Sequence, residues 1–489
     1  MSTFIISREK EIKILEQCLV SKSPEFLAIY GRRRIGKTFL VKQFFKEKKV
    51  VFFCATGEKD AAMKKQIRHF TAQISRVFYN GINLEASKNW DKTLELLTKA
   101  IDSSDKNKKI VLFFDEFPWM VTRNSNLLQD LDYYWNQHWS DNNRVKLIIC
   151  GSSASWIIDN IVNNKGGLHN RLTHSIYLES LKLRETKIFL KAKGVSLNNR
   201  QIVDLYMSMG GVPYYLNRVE KGMSVTEVIE LLAFKRKGFL MEEFDNLFAS
   251  LFKDPKIFIE IIKIIASHRY GIGQRELLEH FGKKLVGKGG LEKLKVLKEA
   301  GFIVDFKPLF HKDKGIYYKL IDNYSLFYLY WIEPIRESLI KKSLLKGYWD
   351  KIKTKASWHS WAGLAFETIC YEHLPQITRS LGLSPTAIPS VWRYVPRKDG
   401  GIEQGAQIDL LFDRYDDAIT ICEIKYSDKP FVITRDYAEK LKNKVEIFKK
   451  VTRTSKQLFI VLISANGVKK NKYSDELIST VVVLDDFFN

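Results

Sequence analysis

The sequence predicts an α/β protein in several domains. A parallel sheet with helices on both faces stands at its N-terminal end, and a second, α/β/α domain at its C-terminal end. Three observations predict this. The chain has 489 residues, more than one hydrophobic core usually serves. Short continuous apolar runs alternate with helical periodicity in Glu25–Gly31 (EFLAIYG), Val50–Ala55, Ile110–Phe114 and Val145–Cys150, the pattern of parallel strands buried on both faces. Strand-like runs return late in the chain, at Gln407–Asp413, Ala418–Lys425 and Gln457–Ser464.

Composition narrows the class. The hydrophobic share of 45% is that of a folded soluble protein. Lys and Arg number 79 against 56 Asp and Glu, a formal net charge of +23. That excess favours a polyanionic partner, nucleic acid and first of all DNA; the alternative is a basic surface without such a partner. The five cysteines, Cys18, Cys54, Cys150, Cys370 and Cys422, are far apart with no CxxC pair. This argues against a disulfide framework or a zinc site and fits a reducing, cytoplasmic setting. The start, MSTFIISREK, lacks a signal-peptide pattern. Lys263 interrupts the best apolar run, around Ile257–Ala266, so no membrane span is expected. No internal repeat or low-complexity tract is visible.

The first strand, Glu25–Gly31, leads into Gly31-Arg32-Arg33-Arg34-Ile35-Gly36-Lys37-Thr38, and FLVKQFF follows from Phe39 at helical spacing. This is GxxxxGK[ST] in its strand–loop–helix setting, the P-loop of NTPases. Gly31 and Gly36 let the backbone turn its N–H groups toward phosphate oxygens. The helix N-terminus adds partial positive charge. Lys37 is expected to reach the β- and γ-phosphates and the Thr38 hydroxyl to ligate Mg²⁺, with ATP the nucleotide; Gly31 through Phe39 form the binding set.

The run Ile110–Phe114 ends in Asp115-Glu116. Asp115 is expected on the Mg²⁺ side and Glu116 as the general base for water. Val50–Ala55, Val145–Cys150 and Ser175–Leu178 complete the sheet. The Val145 strand ends in Gly151-Ser152-Ser153, where Ser152 either touches the γ-phosphate or the attacking water or belongs to an ordinary turn. Arg171 could place a guanidinium on the γ-phosphate, in cis or from a neighbouring subunit of a homo-oligomer, or be merely solvated.

Taken together, FIISRE at Phe4–Glu9, GRRRIGKT, FFDEFPWM, IICGSSASW and Gly210-Gly211-Val212-Pro213-Tyr214-Tyr215 resemble the archaeal-type ATPases of the STAND branch of AAA-like NTPases. The resemblance covers about the first 230 residues and continues more weakly beyond. It implies that the FIISRE segment packs near the adenine, with Ser7 where glycine is usual, and that Gly211-Val212-Pro213 senses nucleotide through Pro213. By its composition the same segment also reads as a rigid hinge. Relatives of this kind act as switches, and some oligomerise.

Residues 181–252 read as a helical extension. Ile257–Ser267, Gln274–Phe281 and Leu291–Ala300 are then three expected helices, followed by strand-like Gly301–Val304 and Ile316–Ile321. Three helices and a two-stranded wing are the order of a winged helix. Lys283, Lys284, Lys288, Lys293, Lys295 and Lys298 lie on or before its third helix and could neutralise phosphates. The alternative is a packing or switch module.

In the last part, Trp358–Leu374 reads as a helix carrying Glu367, and a Pro-rich connection leads to Gln407–Asp413. Glu423 and Lys425 are two apart on the next strand and so share a face, within reach of Asp409 on the paired strand. Two carboxylates there suit Mg²⁺, and Lys425 suits the attacking water or the charged transition state. Glu367, Asp409 and Glu423-x-Lys425 resemble the PD-(D/E)xK nuclease superfamily, which implies a restriction-endonuclease-like fold. The family's usual proline before the first Asp is missing. The alternatives are a solvated hairpin and an intact fold that does not cut.

The expected organisation is therefore a P-loop ATPase core (1–180), helical extension (181–252), winged helix (253–325), helical linker (326–355) and nuclease-like domain (356–489). The expected function is an ATPase that regulates a Mg²⁺-dependent DNA nuclease, in genome defence or mobile-element biology by analogy. The competing expectation is an ATP-dependent switch that binds nucleic acid or protein without cutting.

Overall fold

Glu25–Tyr30 (EFLAIY) is buried along almost its whole length and forms β1. Its side chains alternate between two cores: Phe26 and Ala28 enter one, Leu27 and Ile29 the other. The computed structural model describes residues 5–163, 171–282, 288–309, 315–342, 344, 346–396 and 405–489. The chain divides into two compact units, Met1–Ser180 and Leu181–Asn489.

In the first unit, β1, β2 (Val50–Thr56), β3 (Lys109–Asp115), β4 (Val145–Gly151) and β5 (His174–Tyr177) form a parallel sheet in the order β2-β3-β4-β1-β5. Helices cover both faces, as an all-parallel sheet requires. Glu9–Val20 and Lys37–Phe45 pack on one face, and Met63–Phe78, Trp90–Ser103 and Leu127–Tyr134 on the other. The chain returns beside β1 only after building β3 and β4. The carboxyl ends of β1, β3 and β4 therefore lie along one edge, where ligands of open α/β sheets bind.

The second unit begins with helices Leu183–Ala192, Asn199–Met209, Val225–Ala233 and Phe239–Leu251. Helices Pro255–Ser267, Gln274–Phe281 and Lys288–Glu299 follow, with an antiparallel sheet of β6 (Ile272–Gly273), β7 (Ile303–Phe306) and β8 (Tyr317–Leu320) in the order β6-β8-β7. The short β6 adds a strand to the expected hairpin. Lys283 and Lys284 lie outside the described residues, as does the Lys288 side chain. Lys298 pairs with Asp305 at 2.6 Å and Lys295 with Glu299 at 3.9 Å.

The C-terminal part holds β9 (Ile388–Tyr394), β10 (Ala406–Asp413), β11 (Ala418–Lys425), β12 (Phe431–Val432), β13 (Gln457–Ser464), β14 (Val468–Lys469) and β15 (Thr480–Val483). Five of them form a mixed sheet, β15-β13-β11-β10-β9, while β12 pairs with β14. The Pro-rich stretch expected as a connection contains β9, because Trp392 anchors it in the core beneath helix Arg435–Thr452. Helix Ala356–Glu372 packs on the opposite face, against Leu410, Cys422 and Ile424 among others. One continuous core runs from Leu181 to Phe487, so the modules expected after residue 180 share it. Among the described residues all five cysteines are free, and no helix is long and apolar enough to cross a membrane.

Candidate functional site

The loop after β1 is a cradle made by backbone conformation. Gly31 takes φ +140° and Gly36 φ +94°, with Arg34 at φ +72° between them. A Cβ on Gly31 would stand 2.3 Å from the Leu178 carbonyl oxygen, so glycine is required there. Arg32 and Ile35 are buried, Arg33 is exposed, and Phe39 is 46% exposed at the head of helix Lys37–Phe45.

Lys37 is buried, and its Nζ donates to the carbonyls of Gly31 and Arg32, both at 2.9 Å, and to Ser152 Oγ at 3.1 Å. Ser152 Oγ donates to Glu116 Oε1 at 2.5 Å, and its backbone N–H to Oε2 at 3.1 Å. Beside this chain, Thr38 Oγ1 donates to Asp115 at 2.9 Å. Desolvation lowers the pKa of Lys37 and raises that of Asp115. Glu116 sits at φ +47°, a costly conformation for a side-chain-bearing residue, and a Cβ on Gly57 would stand 2.4 Å from its carbonyl oxygen. Lys37, Thr38, Asp115, Glu116 and Ser152 are thus brought together at one sheet edge.

The N-terminal segment supports the loop. Arg8 donates to the carbonyls of Glu179 at 2.8 Å and Ile35 at 3.4 Å, a tie not foreseen from the sequence. Ser7 adopts φ +53°, the region glycine enters freely, which accounts for glycine being usual there.

One expected residue, Arg171, is not brought to the cradle. Arg171 is exposed and precedes β5; Thr173 bonds to Phe26 at the start of β1. The loop follows the other end of β1, about 13 Å along the strand from Phe26. A role in cis is therefore corrected, since the parallel pairing of β1 and β5 places Arg171 at the opposite edge. Pro213 opens helix Pro213–Leu216 in the second unit, behind Gly211, which packs against the Leu181 carbonyl.

The geometry fits a nucleoside triphosphate. Phosphate oxygens can take over the Lys37 contacts now made by two carbonyls and a hydroxyl, and Gly31 and Gly36 open the backbone to them. Thr38 and Asp115 present the oxygen donors that a hard divalent cation takes.

A second charged centre lies in the C-terminal sheet. Leu410 pairs with Cys422 in the antiparallel β10–β11 ladder, and one further step of that register sets Asp409 opposite Glu423. Glu423 is buried and receives Lys444 at 2.6 Å, Lys425 at 2.8 Å and the Tyr437 hydroxyl at 2.5 Å. Burial pushes its pKa up, but Lys444 and Lys425 outweigh that and hold it at about 2. Asp409 accepts from Gln407 Nε2 at 2.5 Å; burial, then the charges of Glu367 and Glu423, raise its pKa to about 6.

Glu367 departs from expectation. It is buried, with Arg269 at 3.3 Å and Lys319 at 3.2 Å on its two oxygens. Two cations pair with it in this arrangement, as Lys444 and Lys425 pair with Glu423. Glu367, Asp409 and Glu423 also do not gather oxygens mutually within 4.8 Å. Lys444 and Tyr437 were missed although both lie on the basic helix after β11. Arg269 and Lys319 come from distant sequence, and no local signal marks them.

Residues 5–219 match the family described as an ATPase domain predominantly from Archaea, and they form an archaeal-type ATPase domain. Over 428 residues the chain is 28% identical to an uncharacterized protein of Methanocaldococcus jannaschii, covering 86% of this chain and 88% of that one. Among solved structures, the Walker-type ATPase of Pyrococcus abyssi is 17% identical with TM-score 0.46, over 66% of this chain and 96% of that one. The ORC2 protein of Aeropyrum pernix is 15% identical with TM-score 0.43, over 70% and 98%.

Proposed function

We propose that the archaeal-type ATPase domain is the switch of a STAND-type protein, and that its ATP state governs a Mg²⁺-dependent PD-(D/E)xK DNA nuclease formed by the C-terminal sheet. The observation that carries the reading is the chain Lys37–Ser152–Glu116 beside Thr38–Asp115. Lys37 binds the β- and γ-phosphates and releases Ser152 as it does so. Ser152 then holds Glu116 toward the γ-phosphate. Glu116 accepts a proton from water as the water oxygen bonds to γ-phosphorus and the bond from phosphorus to the β–γ bridging oxygen breaks. Thr38 and Asp115 would hold magnesium, which when bound neutralises phosphate charge. Arg171, exposed at the far edge, would serve a neighbouring copy.

In the C-terminal sheet, Asp409 and Glu423 would hold the metal, and Lys425 would orient water toward the phosphodiester. Residues 253–325 are read as a winged helix. Its contribution is assigned to Arg269 and Lys319 at the nuclease-like centre. The overall charge of +23 supports a nucleic-acid partner.

A second reading has its own support. Each of Glu367 and Glu423 is neutralised by two cations, which favours a switch that binds without cutting. The test incubates wild type, Lys37→Ala and Asp409→Ala/Glu423→Ala with plasmid, Mg²⁺ and ATP. Cleavage lost in both variants supports the gated nuclease. ATP turnover without cutting of any DNA or RNA offered supports the switch.

A further inference from the structure

Asp409 stands between two openings. One is a cavity of about 380 Å³ between the β7–β8 hairpin and the β9–β10 edge, walled by Tyr270, Phe306, Tyr317 and Tyr394, with Lys319 and Asp409 also lining it. The other, of about 400 Å³, is lined by Arg269, Lys425, Lys440 and Lys444; Asp409 and Tyr270 line both. Phe306 and Tyr317 stack with centroids 5.8 Å apart, and the Arg393 guanidinium lies 5.5 Å from the Tyr270 ring. Tyr270 is 42% exposed, and a second guanidinium, that of Arg269, lies 5.6 Å from its ring.

Rings beside cations on one side of a carboxylate, and a lysine track on the other, match the demands of a single nucleic-acid strand. Each base has a face to stack on, and each phosphate needs a cation. The first cavity is at the small end of ligand pockets, which run roughly 300–1,000 Å³, and takes one base with its sugar. A base inside a duplex could enter only by flipping out.

We propose that the centre at Asp409 takes its phosphodiester from an unpaired strand, one base stacking between the β7–β8 hairpin and the β9–β10 edge while the next phosphates follow Lys425, Lys440 and Lys444. This deepens the nuclease reading and rests on it for the cutting step alone. A free nucleotide would satisfy the aromatic cavity but leave the lysine track unused, so the strand is the occupant chosen.

The test uses the full chain in EDTA, so that no strand is cut, with a blunt DNA hairpin and the same hairpin carrying a short single-stranded flap labelled with 2-aminopurine. The flap should bind more tightly and its fluorescence should be quenched. Tyr270→Ala should weaken flap binding roughly 5- to 150-fold and leave blunt-hairpin binding unchanged, whereas Tyr270→Trp should retain it. Equal affinity for both DNAs, a flap preference that survives Tyr270→Ala, or full competition by a deoxynucleoside monophosphate at the flap's own concentration overturns the proposal. With Mg²⁺ restored, the two readings separate. Flap binding without cutting keeps this inference and removes the nuclease. Cutting of blunt and flapped DNA alike keeps the nuclease and removes this inference.

Discussion

Lys319 on β8 donates to Glu367 on helix Ala356–Glu372 at 3.2 Å, and both side chains are buried, at 8% and 4% exposure. Arg269 meets the other carboxylate oxygen at 3.3 Å. The three-stranded sheet and the C-terminal sheet domain are therefore joined by a buried charge cluster as well as by a shared core. Desolvating charges is expensive, so such a cluster is held together by completeness.

Breaking it from one side should be costly. Lys319→Met leaves a buried carboxylate facing the half-exposed Arg269 alone, and should lower unfolding stability by about 3–5 kcal/mol. Lys319→Met/Glu367→Gln removes the uncompensated charge and should recover most of that loss. Urea unfolding measures both, and equal losses in the two variants would show that the pair matters through packing alone.

Gly210 and Gly211 make a paired prediction. Gly210 has φ +62° and ψ −170°, a region nearly confined to glycine, with nothing within 4 Å of an added Cβ, so Gly210→Ala should cost only conformational strain, about 1–3 kcal/mol. At Gly211 the same atom would lie 1.7 Å from the Leu181 carbonyl oxygen, so backbone must move. Gly211→Ala should be the more damaging of the two, costing about 3 kcal/mol or more because backbone rather than a side chain has to give way. Thermal unfolding of the two variants ranks them, and the reverse order would refute the packing role given to Gly211.

How far the sequence reached depends on how local each signal is. The cradle at Gly31–Thr38 and the strands around it were legible because spacing, glycine conformation and apolar runs are short-range properties. The nearness of Ser152 to Lys37 was legible as one of two options, since β4 had to end beside β1. Arg171 misled because its position depends on strand direction: β5 runs parallel to β1, which sends residues before it to the far edge. Glu367 was legible only in part, for a different reason. Its identity suited a metal, but the cations that pair with it come from Arg269 and Lys319, 98 and 48 residues away in the chain. The β9 strand was hidden by Pro389, which an edge strand tolerates.

His373 predicts a pH dependence. It is buried, its Nδ1 lies 2.8 Å from the Ile369 carbonyl oxygen, and its Nε2 accepts from the Leu183 N–H at 3.1 Å. The ring is thus neutral, and burial lowers its pKa from 6.5 to about 3. Below pH 6.5 the unfolded chain takes up a proton that the folded chain refuses. The contribution is therefore complete above pH 6.5 and falls as pH drops toward 3, by up to about 1.4 kcal/mol per unit. Urea midpoints at pH 7, 6 and 5 should decline more steeply for wild type than for His373→Gln, and parallel declines would contradict the assignment.

At the cradle, the position of Ser152 between Lys37 and Glu116 separates two contributions to turnover. Glu116→Gln keeps the shape of the side chain but cannot take a proton from water. ATP binding should persist while phosphate release falls about 10²- to 10⁴-fold, the usual share of a general base. Ser152→Ala removes the hydroxyl that joins Lys37 to Glu116 but leaves the Ser152 N–H bond to the carboxylate, so one hydrogen bond is lost and turnover should fall about fivefold. Single-turnover phosphate release, read beside equilibrium binding of labelled ATP, distinguishes the two effects. If Glu116→Gln turned over ATP at the wild-type rate, the proton would have to go to another group at this edge, and the general-base role given to Glu116 would fall.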